Sequence, residues 1–128
     1  MSRILVVDDD EMIRLLLRRV LEKAGHEVCE APDGRVAMKI YSEQKPDCVI
    51  TDLIMPDQEG IETIQQMRRH AHTAPIIATS GQSSLMVAHY LKIARALGAD
   101  AVVEKPFSIA QMLELVTRLL AQNPPVSC

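Results

Sequence analysis

Five short apolar runs alternate with helical periods along the chain, and this alternation limits the fold more than any other feature. Each run is about four residues long and mostly apolar at successive positions, which is typical of strands in a parallel sheet covered on both faces. The runs are Ile4–Val7, Val28–Ala31, Cys48–Thr51, Ile76–Thr79 and Ala101–Val103. A repeated strand–helix order with right-handed crossovers predicts an α/β fold with helices on both sides of one sheet.

Helical periods fill the intervals between these runs. Apolar residues recur with clear helical spacing from Ile13 to Ala24 and from Ile109 to Leu120, and each stripe predicts a helix packed on the core. Gly25 and Gly98 each follow an apolar stripe, so we expect both to end a helix in the left-handed conformation. Weaker periods cover residues 33–43, 61–67 and 85–97. Together they predict (βα)5, a doubly wound three-layer sandwich. By analogy with flavodoxin-like folds, we expect its parallel sheet to have the order 2-1-3-4-5.

Length, charge and cysteine usage exclude several classes of protein. The 128 residues suit one domain, which we assign to residues 1–122 with a short tail at 123–128. The net charge of −3 comes from interspersed charges and argues against nucleic-acid binding. We interpret the basic run at residues 68–70 as the solvated end of a helix. With no signal peptide or membrane-spanning run, and three cysteines without a CxxC pair, we expect a cytoplasmic protein without membrane insertion.

Acidic side chains follow the first and third predicted strands. Asp8, Asp9 and Asp10 come directly after the first, and Asp52 follows the third. In the order 2-1-3-4-5 these strands are neighbours, so Asp8, Asp9 and Asp52 converge, while Asp10 is explained as a helix N-cap. Two unit charges about 4 Å apart repel by about 4 kcal/mol at an effective dielectric of 20. A hard cation would offset this repulsion, and Mg²⁺ prefers such oxygen ligands.

Polar side chains also follow the fourth and fifth predicted strands. Ser80 offers a hydroxyl and Lys105 a positive charge, and phosphoryl transfer to an activated carboxylate needs groups of these kinds. Each residue alone has a simpler interpretation, as a helix cap, a turn residue or a solvated loop lysine. Their joint placement at one edge of the sheet favours a functional site.

These residues resemble the response regulator receiver domain, the phosphoacceptor module of bacterial two-component signalling. The resemblance covers nearly the whole chain. It rests on Asp8 and Asp9 after Ile-Leu-Val-Val, Asp52 in the segment Thr51–Pro56, Gly60, Ser80-Gly81, Gly98-Ala99 and Lys105-Pro106-Phe107.

The resemblance implies a phosphoacceptor and a metal site. Asp52 would accept a phosphoryl group from a histidine kinase or a histidine phosphotransfer protein. Asp9 and Asp52 would ligate Mg²⁺ directly, together with the backbone carbonyl of Ile54, and Asp8 would act mainly through bound water. Because Ile54 is apolar and cannot orient an attacking water, we expect slow loss of the phosphate.

The same resemblance assigns roles to the residues after strands four and five. Lys105, followed by a cis bond to Pro106, would pair with a phosphoryl oxygen, and Ser80 would swing toward the phosphoryl group as a switch. Two departures stand out, since Val102 replaces the switchable aromatic of many relatives and Gln82–Ser84 lengthen the next loop. We therefore expect complete phosphorylation chemistry with an altered output face.

We expect a stand-alone receiver that is not an enzyme beyond its own phosphorylation and dephosphorylation and that signals by docking to an unidentified downstream protein. The sequence does not decide whether the chain relays phosphate onward, acts as a diffusible regulator or serves as a phosphate sink for its kinase. A metal-dependent phosphatase would normally carry a second Asp two residues after Asp52, where Ile54 stands. A flavin or nucleotide binder would show a glycine-rich or hydroxyl-rich loop after strand one. A scaffold with an inactive site is disfavoured because no pocket residue is missing.

Overall fold

A five-stranded parallel sheet lies at the centre of the computed structural model, which describes residues 2–53, 60–80, 92–93 and 95–122. The strand order is β2-β1-β3-β4-β5, so the predicted flavodoxin-like order is confirmed. Each strand is one residue longer than the predicted run. The strands are β1 Arg3–Val7, β2 Glu27–Ala31, β3 Cys48–Asp52, β4 Ile76–Ser80 and β5 Ala101–Glu104.

Four helices are described, and their ends follow the signals in the sequence. Asp10 caps the first of them, because its side chain accepts a hydrogen bond from the Met12 amide at 2.9 Å. Gly25 and Gly98 have φ angles of +97° and +119°, which confirms their predicted conformation. The predicted helix at 85–97 lies largely outside the described residues, and the tail at 123–128 lies wholly outside them. The helices are α1 Glu11–Lys23, α2 Gly34–Gln44, α3 Gly60–Arg69 and α4 Ile109–Gln122.

The helices bury both faces of the sheet. Alternate residues of β1 face opposite cores, with Leu5 and Val7 on the α2 and α3 side, and Ile4 and Val6 on the α1 and α4 side. Every residue of β3 and β4 is buried. In the part of the chain that the structure covers, no helix is both long and apolar enough to cross a bilayer. Because the strands are packed on both sides, the residues at their carboxyl ends start from fixed backbone positions.

Arg68 corrects one interpretation of the sequence, which took residues 68–70 as a solvated helix end. Its guanidinium donates to the backbone oxygens of Ala74 at 2.8 Å and Gly98 at 2.6 Å, and pairs with the Asp100 carboxylate at 2.8 Å. A Cβ at Gly98 would lie 2.8 Å from the Arg68 Nε. Arg68 therefore joins the end of α3 to the turn before β5.

Candidate functional site

Three aspartates meet at the carboxyl ends of β1 and β3. These strands are hydrogen-bonded neighbours, so Asp8 and Asp9 leave the sheet beside Asp52, the last residue of β3. One carboxylate oxygen from each residue lies within 4.8 Å of the others. Asp8 and Asp52 are buried, with 3% and 6% of their surface exposed, whereas Asp9 is exposed. The structure thus brings together the three acidic residues that the sequence singled out.

Asp8 is held in place through its side chain and its backbone. Its two carboxylate oxygens accept hydrogen bonds from the Asp10 amide at 2.9 Å and from Lys105 Nζ at 2.7 Å. Its amide donates to the Ala31 carbonyl at 3.1 Å, and its own carbonyl accepts from Arg14 Nη1 at 2.6 Å. Asp8 is therefore a fixed part of the site, because its carboxylate oxygens, its amide and its carbonyl all have hydrogen-bond partners.

Lys105 places a positive charge between two carboxylates of the site. Its Nζ lies 2.7 Å from Asp8 Oδ2 and 3.5 Å from Asp52 Oδ2, and the bond to Pro106 is cis, as predicted. Burial by itself would lower the Lys105 pKa, but the hydrogen bond to Asp8 and the charge of Asp52 outweigh it, and the pKa is raised from 10.5. The ammonium is thus protonated at neutral pH.

Ser80 ends β4 on the same edge of the sheet. Its residue is 1% exposed, and its hydroxyl has no hydrogen-bond partner within the described part of the chain. Its backbone carbonyl accepts a bond from the Lys105 amide at 2.7 Å, which links it to the lysine of the site. A buried hydroxyl without a partner costs free energy, and an oxygen-bearing ligand would supply the missing acceptor.

The donor set fits a hard divalent cation. All three clustered side chains are carboxylates, and oxygen ligands are those that Mg²⁺ prefers. Three carboxylates beside one ammonium leave an excess of two negative charges, which one divalent cation would neutralise. The Ile54 carbonyl, the fourth expected ligand, lies outside the described residues, as do Gly81 and Gln82–Ser84.

Sequence reasoning missed Arg14 and Glu30. Arg14 contacts the Asp8 backbone and forms an ion pair with Glu30, its Nε 3.2 Å from Oε1. A signal was present, because Arg14 precedes the buried Leu17 and Leu21 by three and seven residues. That spacing puts it on the buried face of α1. A basic residue on this face needs a partner, and the backbone beyond β1 supplies one.

Comparison with known proteins gives consistent matches. Residues 4–117 match the model of the response regulator receiver domain. The chemotaxis protein CheY of Thermotoga maritima is 35% identical over 121 residues, covering 92% of this chain and 97% of that protein. The response regulator MprA of Mycolicibacterium vanbaalenii is 36% identical and covers 96% of this chain, which spans 52% of that protein's length. The structure of CheY4 from Vibrio cholerae superposes with a TM-score of 0.82 at 31% identity, over 94% of this chain and 99% of that one.

Proposed function

Because the chain belongs to the response regulator receiver family, we propose that Asp52 accepts a phosphoryl group from the phosphohistidine of a histidine kinase or a histidine phosphotransfer protein. We take residues 1–122 as the receiver domain. The observation that carries the proposal is the position of the Asp52 carboxylate, which is buried, 3.5 Å from a lysine ammonium and clustered with two other carboxylates. A carboxylate in such surroundings is a candidate nucleophile.

The reaction transfers a phosphoryl group from a histidine nitrogen to an Asp52 oxygen. One Asp52 oxygen bonds to phosphorus, and the bond from phosphorus to the donor imidazole nitrogen breaks. The imidazole nitrogen keeps the electron pair and takes a proton from solvent. Lys105 lies close enough to Asp52 to stabilise the charge on an incoming phosphoryl oxygen, and its hydrogen bond to Asp8 holds it there.

We assign the Mg²⁺ ligands to Asp9, Asp52 and the backbone carbonyl of Ile54, with Asp8 acting through bound water. The outer role of Asp8 is supported by its two carboxylate oxygens, each of which already accepts a hydrogen bond. When bound, the cation would neutralise the charge that gathers on the phosphoryl oxygens during transfer.

Ser80 is the proposed link from chemistry to output. Its buried hydroxyl, without a partner in the described residues, would donate a hydrogen bond to the phosphoryl oxygens and draw its segment toward Asp52. The phosphorylated form would then dock to a downstream protein. In this proposal the chain is itself the phosphoryl acceptor and does not act on a separate substrate. Hydrolysis of its acyl phosphate returns it to the unphosphorylated form.

The test is phosphorylation by a small acyl phosphate. We expect the chain to gain one phosphoryl group by intact mass when it is incubated with Mg²⁺ and acetyl phosphate. Asp52→Asn should gain none. Asp33→Asn is the matched control, because Asp33 caps α2, is not one of the three clustered carboxylates, and asparagine caps nearly as well. An equal mass gain in Asp52→Asn would overturn the proposal. Turnover of phosphomonoesters or copurifying flavin would support the rival functions instead.

A further inference from the structure

Arg14 ties the start of α1 to the site. Its Nη1 donates to the Asp8 carbonyl at 2.6 Å, and its Nε lies 3.2 Å from the Glu30 carboxylate on β2. The Arg14 side chain is 15% exposed and that of Glu30 is 24% exposed. One guanidinium therefore holds a helix, the end of a strand and the neighbouring strand at the same time.

The hydrogen bond from Arg14 to the Asp8 carbonyl lies just beyond the end of β1. Val7 is the last residue of β1, and the Asp8 amide still bonds to Ala31 of the β2 edge. The Asp8 carbonyl belongs to the next peptide unit, which joins Asp8 to Asp9. A peptide unit is planar, so fixing its carbonyl limits where the Asp8 and Asp9 side chains can point. Arg14 does this with a backbone contact and leaves both Asp8 carboxylate oxygens to Lys105 and Asp10.

Glu30 in turn fixes the direction of Arg14. Its Oε1 accepts from Arg14, and its other oxygen accepts from Arg18 on the next turn of α1. Arg18 also pairs with Glu22, its Nε 3.5 Å from Oε2, and no contact of Arg18 with Asp8 is seen in the described residues. Arg14 and Arg18 thus share one acidic partner, but only Arg14 reaches the backbone of the site.

We propose that Arg14, oriented by Glu30, is a positioning residue for the Asp8–Asp9 pair and through it for Mg²⁺ binding and phosphoryl transfer at Asp52. The inference rests on the proposed function. The planar guanidinium suits the role because it has enough donors to hold a carbonyl and a carboxylate together and keeps its charge at all relevant pH values. Partners that orient metal ligands in this way often affect metal affinity as much as activity.

The experiment compares Arg14→Met with Arg18→Met, since both lose an ion pair to Glu30 and both keep an apolar stem. Calorimetric titration of the unphosphorylated protein with MgCl₂ gives the dissociation constant without any reaction. We expect the Mg²⁺ affinity to weaken about tenfold in Arg14→Met. In Arg18→Met it should stay within about twofold of the unsubstituted protein, because the Arg18 side chain is 40% exposed and exposed ion pairs contribute little. The phosphorylation rate with acetyl phosphate should fall only for Arg14→Met at limiting Mg²⁺ and recover at saturating Mg²⁺.

Two results separate the inference from the proposed function. Equal Mg²⁺ affinities in Arg14→Met and Arg18→Met, with a phosphorylatable unsubstituted protein, would overturn the inference alone. An unsubstituted protein that neither binds Mg²⁺ nor gains phosphate would overturn the proposed function and the inference with it. If Arg14→Met does not fold, Arg14→Lys keeps the charge but cannot hold both partners, and it should still bind Mg²⁺ more weakly than Arg18→Lys.

Discussion

Removing the charge of Asp9 should stabilise the protein when no divalent cation is present. The three carboxylates lie within 4.8 Å of one another, so their repulsion opposes folding. Asp9 adds to this repulsion, and among the described contacts Lys105 pairs with Asp8 and Asp52 rather than with Asp9. Asp9→Asn keeps the size of the side chain and removes one of the three charges. We expect its free energy of unfolding to exceed that of the unsubstituted protein in the presence of a chelator.

The size of the effect follows from the geometry. At 4.8 Å and an effective dielectric of 20, each pair of carboxylates repels by about 3.5 kcal/mol, and Asp9 takes part in two pairs. Asp9 is exposed, so solvent and salt screen most of this energy, and we expect about 1–3 kcal/mol to remain. For a chain of this length that is a rise of about 3–5 °C in Tm per kcal/mol. Asp52→Asn is less informative, because it also removes the attraction of Lys105 at 3.5 Å.

Thermal unfolding with and without Mg²⁺ gives the test. Asp10→Asn is the matched control, since it removes the same charge one residue away and leaves a good N-cap in place, and its stability should change by less than about 0.5 kcal/mol. Saturating Mg²⁺ at about 100 times its dissociation constant would stabilise the unsubstituted protein by about 2.7 kcal/mol. Asp9→Asn should gain less, so its stability advantage over the unsubstituted protein should shrink. A Tm of Asp9→Asn at or below that of Asp10→Asn in chelator would refute the crowding of these carboxylates.

Three further predictions concern the core and its edges. Burial raises the pKa of the Cys48 thiol from 9.0 to about 12, so above pH 9 the unfolded thiol releases its proton first and stability falls by about 1.4 kcal/mol per pH unit. Urea unfolding between pH 9 and 11 should show a shallower fall for Cys48→Val, and equal slopes would contradict the shift. Arg68→Met removes hydrogen bonds to two backbone carbonyls and a carboxylate. Urea unfolding should show that its free energy of unfolding falls by about 2–3 kcal/mol, against less than about 0.5 kcal/mol for the control Arg69→Met. Equal losses in the two variants would argue against the Arg68 contacts. Tyr41→Phe removes the partly buried hydrogen bond to the His72 carbonyl at 2.8 Å and should cost about 1 kcal/mol in the same assay, whereas an unchanged midpoint would show that the bond contributes nothing.

The parts of the fold that the sequence predicted are those set by local pattern and by topology. Short runs such as Cys48–Thr51 are apolar on both faces, which suits a strand between two helical layers. Parallel strands end at one edge of a sheet, so the convergence of Asp8 with Asp52 follows from strand order alone. Lys105 joins them because β5 ends at the same edge.

Some of the features that sequence reasoning missed depend on parts of the chain that are far apart in sequence, and others carry no signal in the sequence. Arg68 bonds to Gly98, thirty residues away, and periodicity on one helix carries no information about the reach of a long side chain. Lys45 ends α2 at φ +49°, a left-handed position where glycine is the usual signal. The Arg68 contact depends on the three-dimensional fold, and no glycine marks the Lys45 position, so composition and spacing did not reveal either feature.

Under the proposed function, the charges of the site would make its cation and its phosphoryl group depend on each other. At rest the three carboxylates and Lys105 leave an excess of two negative charges. Conversion of the Asp52 carboxylate to an acyl phosphate replaces one negative charge by nearly two at neutral pH, so under the proposed function the excess grows. A divalent cation would therefore bind the phosphorylated site more tightly than the resting one. By linkage the cation must favour phosphorylation by the same factor. The negative charge that phosphorylation would add to an already acidic site is thus what would couple metal binding to phosphoryl transfer.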